Sequence, residues 1–107
     1  MSGSADQQRL DSLTAEFHGQ TSRLSWHDLQ TFYARGAVVR VAAELDLVDV
    51  AVQLRLDNAA GLESWMNGGQ VGPVSEELAR EWFDDNTVLW VVVVAPWVLV
   101  QLREAGG

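Results

Sequence analysis

The longest apolar stretch, from Val88 to Val100, constrains this chain more than any other feature. It reads Val-Leu-Trp-Val-Val-Val-Val-Ala-Pro-Trp-Val-Leu-Val, bounded by Thr87 and Gln101. A membrane-crossing helix needs about twenty such residues, and this run is shorter and broken by Pro96. Four successive valines at 91–94 favour extended backbone, because branching at Cβ suits the pleated surface of a sheet. Proline cannot donate to a ladder, so Pro96 marks a break between two short strands or a bulge. A continuous apolar run, unlike an alternating one, predicts strands covered on both faces. Either the rest of the chain or a second copy must supply that cover.

At 107 residues the chain is long enough for one hydrophobic core and too short for two, so a single domain over 1–107 is expected. Hydrophobic residues make up 48% of it, which places it outside the composition of disordered chains. The small residues 1–5 and the glycine-ended tail 104–107 read as flexible ends. Between them, Leu10, Leu13 and Phe17, with Leu24 beyond, predict an amphipathic helix over about 6–22. Ser25 with Asp28 three residues on has the spacing of a capping box, starting a second helix that stops at Arg35-Gly36. Asp46 and Asp49 repeat the capping logic for a helix to about Leu56. Asp57 or Asn58 starts another, with Leu62, Trp65 and Met66 on one face, and Ser75 caps one carrying Leu78 and Trp82. Gln70 to Val74, with Gly72 and Pro73, reads as a connector. Strands are expected at 37–42, 89–95 and 97–102. The fold class is therefore α+β, with four or five short helices packed on a two- to three-stranded sheet whose C-terminal strands are apolar on both faces. Edges in so small a sheet are usually hidden, which predicts a homodimer.

The formal charge is −8, and all seven basic residues are arginine. A chain without lysine has no Schiff-base or phosphate-loop lysine. Residues 44–85 hold ten of the fifteen carboxylates against Arg55 and Arg80, so this segment carries the whole surplus. Such a segment repels a phosphate backbone and an anionic membrane and suits a basic protein partner. With no cysteine there is no disulfide, thiolate nucleophile or zinc finger. The first twenty residues carry Asp6, Arg9, Asp11 and Glu16 and no apolar core, so they do not read as a secretory signal, and a cytoplasmic location is expected.

No sequence pattern fixes a catalytic, cofactor or metal site. Ser25, His27 and Asp28 are the residue types of a hydrolase triad, but neighbours at one helix start point around its axis, and capping explains two of them. His18 and His27 are nine apart, too far for an i, i+4 ligand pair. Arg35 is the charged residue of most interest: held against Asp46 or Asp49, it would clasp a ligand carboxylate or fix a turn, and a turn is the commoner use of such a pair. Five tryptophans in so short a chain are mostly core, yet indoles also mark interfaces. Trp90 and Trp97, flanking the valines, are the interface candidates.

Three strings carry a family resemblance: Trp26-x-x-Leu29-x-x-Phe32-x-Ala34-Arg35-Gly36, then Leu45-Asp46-Leu47-Val48-x-Val50-Ala51, then the stretch from Leu89 through Ala95-Pro96-Trp97 to Gln101, with Trp65 between. Over about residues 18–101 the chain resembles a family of small bacterial proteins, the domain of unknown function twenty-two eighty-eight. The resemblance implies a stand-alone bacterial domain and carries no catalytic or binding residue with it. The residues themselves favour a non-enzymatic interaction or structural module that self-associates. The alternative is a small-molecule binder or enzyme with a pocket around Arg35 and His27, and a weaker one is an acidic mimic of nucleic acid.

Overall fold

The computed structural model describes residues 2–102, with side chains from residue 8 onward. In chain order the elements are α1 (Ser2–Gln20), β1 (Ser22–Ser25), α2 (Trp26–Ala34), β2 (Val38–Val41), α3 (Leu47–Arg55), α4 (Ala59–Asn67), β3 (Val71–Pro73), α5 (Glu76–Asp85), β4 (Val88–Val94) and β5 (Trp97–Gln101). The fold is α+β, with five helices and one five-stranded mixed sheet in the order β1-β4-β5-β2-β3. The β2–β5 pair is parallel, and the others are antiparallel. The expected flexible ends lie outside the described residues, except that the backbone of Ser2–Ala5 belongs to α1.

The sheet has five strands where two or three were expected, and the physical reason lies in β1 and β3. Leu24 is the only apolar residue of β1, and by spacing alone it continues the repeat of α1. The helix instead ends at Gln20, where the Thr21 hydroxyl donates to Phe17 O at 2.7 Å. β3 contains the Gly72-Pro73 pair that reads as a connector. Neither segment has strand propensity of its own; each is held by the ladder of a longer neighbour, β1 by β4 and β3 by β2.

The apolar run forms the hairpin β4–β5, with Val94 opposite Trp97 and Trp90 opposite Gln101. Side chains alternate across a strand, and here they divide between two cores. Val92, Val94 and Leu99 join Phe17 of α1 and Leu47, Val48, Val50, Ala51 and Val52 of α3. Leu89, Val91, Val98 and Val100 join Trp26 and Leu29 of α2 and Ala79 and Trp82 of α5. Each fully buried valine or leucine contributes about 1.5–3 kcal/mol, so this hairpin anchors both layers. Val93 and Trp97 stay exposed. In the second layer Trp26 is completely buried, its ring 5.2 Å from Trp82 edge-on and 5.2 Å from Tyr33. Among the described residues its Nε1 has no nitrogen or oxygen acceptor.

Both apolar strands are interior to the sheet. The edges are β1, four residues including Arg23, and β3, three residues ending in Pro73. Short edges with a charge or a proline are poor templates for further strands. Neither edge is the long apolar strand from which a homodimer was expected, so self-contact would use another part of the surface.

Candidate functional site

The triad-like residues at the start of α2 are engaged in local structure. Ser25 occupies the N-cap position, but its hydroxyl donates to Asp28 Oδ2 at 3.1 Å and caps no amide. The amide of His27 donates instead to Asn86 Oδ1 at 3.1 Å. The His27 ring lies 4.7 Å from that of Phe83, and its Nε2 is 2.9 Å from Phe83 O; a carbonyl only accepts, so Nε2 carries the proton. These groups lock α2 to the end of α5, and the expected capping box is replaced by a cap from a distant residue. Asn86 has positive φ at a helix end, the setting where asparagine is favoured, so its position after Asp84-Asp85 was a signal the sequence offered.

Arg35 is exposed at the C-cap of α2, where its backbone amide reaches Thr31 O. Asp46 caps α3, accepting from the amides of Val48 at 3.0 Å and Asp49 at 3.4 Å, and Asp49 is exposed in the first turn. Among the described residues no ion pair joins Arg35 to either carboxylate. His27 and Arg35 stand at opposite ends of α2, roughly 12 Å apart along its axis. No cluster of three or more histidine or acidic side chains able to hold a metal occurs among the described residues.

The two interface candidates have different surroundings. Trp90 is half-buried, packed against the α1/α3 core, with the Arg23 guanidinium 5.4 Å from its ring centre. Trp97 is 39% exposed. It stands at the mouth of an apolar cavity of about 300 Å3 between the sheet and the α3–α4 pair. Val39 and Leu99 line it from the sheet, Val50 and Leu54 from α3, Leu62 and Met66 from α4. Leu62 and Met66 are four apart and share a helix face. Trp65, the third residue of that face, packs half-buried against the α1/α3 core, and no residue of α4 is fully buried. No lining side chain is ionisable.

A family model described as a protein of unknown function (DUF2288) matches residues 12–102. The chain belongs to the DUF2288 family. Among solved structures it is similar to the NMR solution structure of PA1075 from Pseudomonas aeruginosa, with 42% identity, coverage of 90% of this chain and 89% of that one, and a TM-score of 0.77. Among curated proteins none matches. The DUF2288 match contains all five strands and α2 to α5, so the cavity and the β4–β5 hairpin lie wholly within it. Among the described residues no helix is long and apolar enough to cross a membrane.

Proposed function

We propose that this DUF2288 protein is a non-enzymatic interaction module that pairs with a second copy of itself through the end of the sheet where β4 turns into β5. The observation that carries the reading is that exposed apolar side chains occur at that end on both faces of the sheet, Val93 in step with Leu89 and Val91, which face α2 and α5, and Trp97 lining the α3–α4 side. Phe32, Val93 and Trp97 are 36, 51 and 39% exposed. Backbone hydrogen bonds tie their segments together, from Ala37 N to Phe32 O at 3.0 Å and from Val98 N to Ala37 O at 2.9 Å, and Val98 is the ladder partner of Val93. Indoles in such positions are common interface anchors. Two copies each carrying −8 meet at least electrostatic cost where these side chains are uncharged. The commitment of Ser25, His27 and Asp46 to helix ends supports the non-enzymatic part.

The reading carries a cytoplasmic setting with it, and a basic protein is the alternative partner, met by the acidic stretch 44–85. Sedimentation velocity over a wide concentration range tests self-association. The expected result is a dimer for the natural chain and a monomer of native circular dichroism for Val93→Lys. A natural chain that sediments at 11.8 kDa throughout overturns the reading.

A further inference from the structure

We propose that the cavity beneath α4 is a binding site for an uncharged hydrocarbon ligand, aromatic or aliphatic, of roughly ten to twelve carbon atoms. The size follows from the space: at about 300 Å3 the cavity is twice the roughly 150 Å3 that accommodates benzene in an apolar protein interior. The chemistry follows from the walls. Val39, Val50, Leu54, Leu62 and Leu99 offer only methyl and methylene groups. A charged head group drawn in among them would lose its hydration with no side-chain partner to replace it. An anionic head is disfavoured further by the surplus negative charge of the chain. Entry lies beside Met66, 58% exposed and in α4 rather than at the β4–β5 turn.

The gap is built into the backbone. At the near end of α4, Asp57 takes φ 56°, the amide of Asn58 donates to Gln53 O at 3.0 Å, and its side chain donates to Gln53 Oε1 at 2.7 Å. At the far end Gly69 takes φ 74°, Arg40 donates from β2 to Gly69 O at 2.9 Å, and Gln70 N donates to Trp65 O at 2.9 Å. Helix α4 is thus pinned at both ends, with Trp65 packed against the α1/α3 core, Leu62 half-buried and Met66 exposed beside the cavity. A ligand in the cavity adds cover to Leu62 and Met66, which the chain covers only in part, and a preformed site spends little binding energy on ordering.

Methyl NMR of the full chain, titrated with naphthalene and separately with 2-naphthoate, tests the proposal. Expected are saturable naphthalene shifts confined to Val39, Val50, Leu54, Leu62, Met66 and Leu99, with 2-naphthoate at least about tenfold weaker. Met66→Trp, which plugs the mouth from an exposed position, abolishes them; if that variant loses native methyl dispersion, Leu62→Trp replaces it. Phe83→Ala, in α5 and outside the cavity lining, leaves them unchanged. Repeating the titration on Val93→Lys separates the cavity from any contact between copies, and the shifts persist there whether or not the natural chain pairs. Absence of saturable shifts, shifts spread over the α2–α5 layer, equal binding of 2-naphthoate, insensitivity to the plugging variants, or loss in Val93→Lys overturns the proposal.

Discussion

Asn86 closes two helices at once: its Oδ1 accepts from the His27 amide at 3.1 Å, and its own backbone, at φ 45° and ψ 52°, ends α5 in the left-handed region. The two roles separate by substitution. Asn86→Gly keeps the left-handed turn and loses the cap, at a cost of about 1 kcal/mol. Asn86→Ala loses the cap and places a Cβ in a conformation it disfavours, for about 2 kcal/mol in all. Urea denaturation with an unchanged slope checks the order; equal losses would show that only the cap matters.

Gln101 is completely buried at the end of β5, and its Nε2 donates to Ala42 O and Leu45 O at 2.8 and 2.6 Å. The amide thus holds the loop that leads from β2 into α3. Replacement by leucine keeps the volume and strips Leu45 O of this donor inside the protein. The expected loss is about 2–3 kcal/mol, with the largest increase in amide exchange at residues 42–46. Exchange rising uniformly over the chain would count against a local role.

Trp97 differs from the other indoles in access to water. Trp26 and Trp82 are buried, and Trp65 and Trp90 are half-buried. Acrylamide quenching of tryptophan emission should therefore fall most for Trp97→Phe, and more than for Trp90→Phe, where Arg23 covers the ring. Pairing through this end would shield Trp97, so its quenching in the natural chain should decline as concentration rises.

Much of the architecture was legible because it is encoded within four residues. Asp46, Asn58 and Ser75 each cap the helix that follows, through bonds to amides two or three residues ahead. The valines of β4 and β5 announce strands wherever they end up. Ser25 shows the limit of such reading: the spacing to Asp28 is that of a capping box, yet the hydroxyl turns to the carboxylate and the helix is capped by Asn86. The site was less legible still. Leu62 and Met66 could be placed on one face of α4, but a face gives no sign of the distance to what lies opposite.

By itself, the sequence determined that the chain is α+β, that its C-terminal apolar run is extended, and where α3, α4 and α5 begin, since these depend on side chains acting on their own or adjacent backbone. Only the tertiary structure decided that Ser22–Ser25 and Val71–Pro73 are strands, that β5 lies between β4 and β2, and that a cavity remains under α4. Those outcomes rest on contacts between segments far apart in the chain. A weak strand forms when a longer one offers it a ladder, and a cavity remains where a helix pinned at both ends covers the sheet only in part.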